Sequence, residues 1–222
     1  FAKDFEIPCV GGKVSLYNET SDGPIKPTPV IGVIGLIDKK PLKIQKINSG
    51  DSLIMIGDTK DELGGSEYSE YVHKFIGGKC PAVDFIESKK NMNSVLDIIE
   101  NELIKSAHDC SKGGLTIAIS ELCMTNQIGC NVSLEKIPGE KLDSDKILFS
   151  ESHSRYLLTI ENKNLSKLEE TLKKYGVSYS LIGEFTGDSI CFSSDSKPII
   201  DLSVDKAHKT WFNSLKEMVL HA

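Results

Sequence analysis

Apolar residues along the chain fall into two kinds of pattern, short continuous runs and helical spacings. Continuous runs at residues 30–37 and 52–57 predict buried strands, because a strand covered on both faces loses its polar alternation. Gly32 and Gly35 inside the first run suit a place where another backbone comes close. Residues 7–10 form a shorter strand candidate, and residues 1–7 read as the tail of a helix feeding it. Further strands are predicted at 130–134, 155–160, 177–183, 189–192 and 199–202. Helical spacing appears at Tyr68, Tyr71, Val72 and Phe75 and at Val95, Leu96, Ile99 and Leu103, which predicts helices over 66–75 and 91–104. Leu115, Ala118, Ile119 and Leu122 predict a helix over 115–124. Leu165, Leu168, Leu172 and Tyr175 predict another, closed by Gly176 in the usual C-terminal position, and a last helix covers 206–220.

Turn signals divide the pattern. Asp22-Gly23-Pro24, the Lys26-Pro27-Thr28-Pro29 segment and Asp38-Lys39-Lys40-Pro41 interrupt the first part of the chain. Asn48-Ser49-Gly50-Asp51 reads as the turn into a new unit, so a boundary falls within 41–50, giving domains at 1–46 and 47–222. Strands and helices mix without strict βαβ alternation, which makes the fold class α+β.

Composition narrows the function classes. The 222 residues are 39% hydrophobic and 26% charged, ordinary for a globular protein. A net charge of −6 argues against a general nucleic-acid binder, which would carry a basic surplus. No run of 18 apolar residues exists, so no membrane span is expected. The six cysteines are scattered with no Cys-x-x-Cys pair, the pattern of reduced thiols in a cytoplasmic protein. Phe1-Ala2-Lys3 in place of an initiator Met reads as the cut edge of something longer.

Four motifs carry candidate chemistry. Gly11-Gly12-Lys13-Val14-Ser15 puts bare backbone, a cation and a hydroxyl on one loop, which suits a phosphate-bearing ligand; a glycine turn after a strand explains the same residues. It is not a Walker A loop, since Ile7 and Val14 stand where that motif needs a glycine and a hydroxyl. Gly64-Gly65-Ser66-Glu67-Tyr68 either opens a helix N-terminus to an anion or is a helix capped by Ser66. The segment from Ala107 to Leu115, AHDCSKGGL, is read as a polar turn between two helices. His108 and Asp109 there form either a catalytic pair or a hydrogen-bonded turn anchor. Ser150-Glu151-Ser152-His153-Ser154-Arg155 clusters donors and acceptors at a sheet end; alternatively it is a solvated loop with Glu151 and Arg155 paired at the surface.

Taken in order, VGGKVSLYNE, PTPVIGVIGLI, GGSEY, AHDCSKGGL and SESHSRYL resemble the C-terminal half of the phosphoribosylformylglycinamidine synthase II family, within the aminoimidazole ribonucleotide synthetase superfamily. The resemblance covers essentially the whole chain. It implies the last part of a ferredoxin-like N-domain over 1–46 and a complete α/β C-domain over 47–222. It implies an ATP-dependent C–N ligase of purine synthesis, which activates the amide oxygen of formylglycinamide ribonucleotide so that ammonia can form the amidine. The partners implied are the N-terminal half of the same synthetase, a glutaminase subunit and a small bridging subunit; the cofactors are ATP and Mg2+.

By the same resemblance Gly12 matches an ATP-contacting glycine and Ser15 a substrate-contacting serine. Lys13 stands where the family usually has an Asn that contacts magnesium, and a charged lysine cannot ligate a metal. The family's catalytic histidines lie in the other half, so none of the five histidines here inherits that role and the chain alone is expected to be inactive. Glu151, Ser152 and Arg155 match a segment that in this half holds an auxiliary nucleotide or is a pseudo-site. The alternative function is a non-catalytic structural or nucleotide-holding half of the same enzyme.

Overall fold

The computed structural model describes residues 1–37 and 45–220. The chain divides into two compact units between residues 41 and 42.

In the first unit, residues 2–6 make one hydrogen-bonded turn, with Phe5 N donating to Phe1 O at 2.9 Å and Ile7 N to Ala2 O at 2.9 Å. Strands β1 (Glu19–Thr20) and β2 (Gly23–Pro24) form a two-residue antiparallel pair. The strands predicted at 7–10 and 30–37 are not formed. Both segments are irregular, and the apolar side chains of 30–37 are exposed. The reason is the missing ladder: a strand is held by a hydrogen-bonded neighbour, and among the described residues none pairs with either segment. The turn predicted at 38–41 lies outside the described residues.

The second unit is built on a seven-stranded sheet. Its elements run β3 (Ser52–Ile56), α1 (Glu67–His73), α2 (Phe85–Glu100), β4 (Ser106–Asp109), α3 (Gly114–Asn126), β5 (Cys130–Ser133), α4 (Ser144–Phe149), β6 (Tyr156–Ile160), α5 (Leu165–Tyr175), β7 (Tyr179–Phe185), β8 (Ser189–Ser194), β9 (Lys197–Ser203) and α6 (Val204–Leu220). The strand order is β4-β6-β3-β7-β5-β8-β9. Among the described strands of this sheet only β5 and β8 run parallel; the other neighbours are antiparallel. The fold is α+β.

The central strand β3 shows why its sequence is continuously apolar. Leu53 and Met55 point to a core with Leu115, Ile119 and Leu122 of α3, Leu148 of α4 and Val204 of α6. Ile54 and Ile56 point to the opposite core, with Val95 and Ile98 of α2 and Leu168 and Leu172 of α5. Both faces are therefore covered, and all five residues of β3 are buried.

The helices at 114–126 and 165–175 follow the predicted apolar faces, and Gly176 caps α5 in the left-handed region at φ 62°. Helix α2 departs from prediction. It starts at Phe85, capped by Asp84, and ends at Glu100, so Leu103 lies beyond it and Leu96 is exposed. Its buried face carries Ser88, Asn91 and Ser94 beside Val95 and Ile98. Helix α1 buries no residue, and Tyr71, Val72 and Phe75 are exposed. The segment predicted as a turn between helices is in part the edge strand β4, paired with β6 through Ser106↔Thr159 to Asp109↔Tyr156. The short helix α4 has no counterpart in the prediction.

Candidate functional site

In the first unit, Gly12, Lys13 and Ser15 share one exposed loop. Asn18 Nδ2 donates to Ser15 O at 2.7 Å and fixes the end of the loop. A Cβ placed at Gly11 or Gly12 would meet nothing within 4 Å. Neither glycine has positive φ. The chain's own packing and backbone therefore do not demand glycine at either position, and the loop presents bare amides, an ammonium and a hydroxyl to the outside.

In the second unit, the loop 150–155 brings together three of the motifs and the segment 59–62. Arg155 leads into β6 and is 1% exposed, so the surface pairing with Glu151 considered from sequence is not formed. The guanidinium is spent on the loop itself. Nε donates to Ser152 O at 2.9 Å, Nη2 to Ser150 O at 2.5 Å and Nη1 to Thr59 Oγ1 at 3.1 Å. Burial lowers the Arg155 pKa, while Cys110, Glu62 and Glu151 nearby act in the other direction. Glu62 Oε1 accepts from Ala82 N at 2.9 Å, and Glu62 Oε2 is buried with no hydrogen-bond partner among the described residues.

Ser150 and Ser152 are buried and bind the incoming 59–62 segment. Ser152 Oγ accepts from Lys60 N at 3.0 Å, and Ser150 Oγ accepts from Glu62 N at 3.3 Å. Glu151 Oε1 accepts two backbone amides, Glu67 N at the start of α1 and Gly113 N at the start of α3, each at 2.9 Å. The Gly-Gly-Ser-Glu and Ser-Lys-Gly-Gly motifs thus meet on one carboxylate, and Lys112 Nζ closes the group on Glu67 Oε1 at 2.7 Å. Ser66 caps α1 by accepting from Ser69 N at 3.2 Å, the capping alternative considered for that motif.

Close approach explains the glycines around this loop. At Gly57 (φ 89°) a Cβ would lie 2.6 Å from Ser154 O, and at Gly114 (φ 67°) one would lie 2.5 Å from Ser150 O. Cys110 sits underneath, its amide bonded to Arg155 O at 3.0 Å, and burial pushes its thiol up to about 11.

His108 and Asp109 do not form a side-chain pair. His108 Nδ1 lies 2.6 Å from the Asp109 carbonyl oxygen, and Nε2 lies 3.4 Å from Glu121 Oε2. Alternation along β4 sends the two side chains to opposite faces. Thr59, Lys60 and Glu62 hold the loop from some 90 residues away in sequence, and no local pattern marks them as its partners.

Residues 48–193 match the family described as AIR synthase related protein, C-terminal domain. The chain belongs to this AIR synthase related family. It is 37% identical to the phosphoribosylformylglycinamidine synthase subunit PurL of Methanocaldococcus jannaschii, over 98% of the chain and 30% of that protein. It is also 37% identical to the PurL subunit of Methanococcus aeolicus, over 96% of the chain and 29% of that protein. The chain therefore spans about three-tenths of the length of these relatives.

Among solved structures, Thermotoga maritima PurL complexed with FGAR superposes with a TM-score of 0.68 at 19% identity, covering 75% of this chain and 29% of that one. Escherichia coli HypE, a hydrogenase maturation protein, superposes with a TM-score of 0.54 at 15% identity, covering 75% and 52%. At these identities the likeness is one of fold.

The AIR synthase related domain carries the 150–155 cluster, and the cluster's polar groups are largely occupied by the chain itself. The 11–15 loop fits a phosphate-bearing ligand such as ATP through its amides, ammonium and hydroxyl. It does not fit magnesium at Lys13, whose ammonium has donors and no lone pair. Among the described residues no group of three His, Cys, Asp or Glu side chains is arranged to hold a metal ion. No described helix is long and apolar enough to cross a membrane.

Proposed function

We propose that this chain is part of the synthetase subunit of phosphoribosylformylglycinamidine synthase, an ATP-dependent C–N ligase of purine biosynthesis in the cytoplasm. The observation that carries the reading is the 37% identity to the M. jannaschii PurL subunit, which runs across 98% of the chain and so through both units. In this reading residues 1–46 end a ferredoxin-like N-type domain and 47–222 are its C-type companion.

The reaction joins two displacements. The amide oxygen of formylglycinamide ribonucleotide attacks the γ-phosphorus of ATP and ADP leaves. Ammonia then adds to the activated carbon and expels inorganic phosphate, leaving the amidine. Both steps are accelerated by positioning and by stabilising developing negative charge. Gly12 lets backbone amides approach ATP, Lys13 supplies positive charge beside the phosphates, and Ser15 hydrogen-bonds the ribonucleotide. Magnesium, where it accompanies ATP, is held by groups other than Lys13. A glutaminase partner supplies the ammonia, a small subunit bridges the two, and the N-terminal half of the synthetase brings the catalytic histidines.

A second reading, a half that holds structure or nucleotide without taking part in chemistry, is favoured by one observation. Glu151 Oε1, Ser152 Oγ and all three guanidinium nitrogens of Arg155 are engaged in hydrogen bonds within the chain. Turnover of formylglycinamide ribonucleotide with ATP and ammonia separates the readings. The full-length protein is expected to turn over and the 222-residue chain is not. Ser15→Ala in the full-length protein raises KM for the ribonucleotide under the first reading and leaves it unchanged under the second. Turnover by the isolated chain would refute both.

A further inference from the structure

Helix α6 carries one apolar stripe with two fates. At about 100° per residue, Val204, Ala207, Trp211, Leu215 and Met218 lie along one line of the helix, with Phe212 and Val219 beside it. The first turns of that line are core: Val204 is 4% and Ala207 9% exposed, in the cluster built around α3. From Trp211 on, the same line is bare, with Trp211 57%, Leu215 71% and Met218 70% exposed. The helix thus overhangs the body that anchors it.

A groove of about 520 Å3 opens at the root of the overhang, with His108 and Glu121 on one side and Trp211 and Phe212 on the other. His108 belongs to β4, an edge strand of the sheet. A helix stripe, a groove and a strand edge therefore adjoin. Apolar side chains clustered on a helix in this way mark a contact surface rather than ordinary solvent-facing scatter.

We infer that the α6 overhang and its groove seat the remaining polypeptide of the full-length protein. The inference rests on the proposed reading of the chain as part of a longer synthetase. The relatives that match 98% of this chain are more than three times its length, since the match spans 30% of the M. jannaschii subunit. Most of the polypeptide able to cover this surface is thus not in this chain. The occupant presents an apolar face, because the stripe offers side-chain area and few hydrogen-bonding groups. Trp211 and Phe212 enter the contact where it meets the groove, as large aromatic anchors do at interfaces.

Hydrogen exchange over residues 205–220, compared between the 222-residue chain and the full-length protein, tests this. Exchange in that segment is expected to slow at least tenfold in the full-length protein. Leu215→Glu combined with Met218→Glu is expected to leave the Tm of the isolated chain within about 1 °C, because both side chains are already exposed there. The same pair of changes should lower the Tm of the full-length protein by several degrees. Equal exchange in the two proteins, or no Tm effect in the full-length protein, would overturn the inference. So would an isolated chain that dimerises through the stripe and a full-length protein that does the same, since the occupant would then be a second copy. Turnover of formylglycinamide ribonucleotide is read in parallel. Protection without turnover strikes the proposed function alone, and turnover without protection strikes this inference alone.

Discussion

Removing Arg155 tests whether the 150–155 loop is held from below by its own guanidinium. In Arg155→Ala three donors vanish at once, leaving Ser152 O, Ser150 O and Thr59 Oγ1 without their partner. Each hydrogen bond from a charged donor contributes about 1.5–3 kcal/mol, so the three together are worth roughly 4.5–9 kcal/mol before offsets. Burying the guanidinium costs part of this back, in keeping with the lowered pKa that desolvation gives it. The buried Glu62 Oε2 works the other way, since it loses the positive charge facing it. Removing one member of a buried charged group costs about 3–5 kcal/mol in comparable cases, and about 4 kcal/mol is expected here.

For a unit of this size that is a fall in Tm of about 8–16 °C. Arg155→Lys keeps the charge but reaches fewer acceptors, so it should recover about half of the loss. Thermal and urea unfolding of the 222-residue chain, followed by far-UV circular dichroism, reads both variants. One control sharpens the result: alkylation of buried Cys110 should speed up in Arg155→Ala, because the loop that covers it loosens when its guanidinium bonds are lost. A loss below about 1 kcal/mol, or equal behaviour of Ala and Lys, would refute the clamp.

Other expectations follow from single sites. Cys110, buried and with its thiol pushed up to about 11, should resist iodoacetamide at pH 8 while exposed Cys9 and Cys80 react, as read by peptide mass mapping. Glu135 is held at about 2 by hydrogen bonds from the Ser133 hydroxyl and then the Asp195 amide. A depressed carboxylate stabilises the fold above its unfolded pKa and loses that contribution as pH falls towards 2, so the stability gap between wild type and Glu135→Gln should be full at pH 7 and close between about pH 4.5 and 2. Lys13→Ala in the full-length protein should weaken ATP binding at least about tenfold, and Lys13→Asn should raise magnesium affinity; titrations superimposable on wild type would make Lys13 a bystander.

What the sequence disclosed depended on whether a residue's reason lay close by. Helix α5 was legible because its apolar face, Leu168 and Leu172, and its stop, Gly176, lie within a few turns of each other. Helix α2 was legible only in its second half. Its first buried positions are polar, since Asn91 Nδ2 donates to Ser154 O at 3.0 Å and Ser154 Oγ donates to Ser88 Oγ. Those residues serve a loop more than 60 positions away, and their polarity hides the helical period. The run 30–37 misled in the opposite sense, because apolar content marks what a segment can bury, while a strand also needs a neighbour to bond.

The same distinction separates the two parts of the candidate site. Motif order brought Gly12, Lys13 and Ser15 to attention, and the structure leaves their loop outward, with no packing reason for Gly12 to be glycine. Motif order also pointed to Glu151, Ser152 and Arg155, and here the structure supplies internal reasons for each. Glu151 joins the starts of α1 and α3, Ser152 holds Lys60, and Arg155 ties the loop to Thr59. A residue whose hydrogen bonds are already spent has little left to offer a ligand, and a buried one cannot reach it. Under the proposed function the weight of the chemistry therefore falls on the 11–15 loop, whose glycines its own fold does not explain, and the 150–155 loop acts as the joint that holds three motifs of the second unit in register.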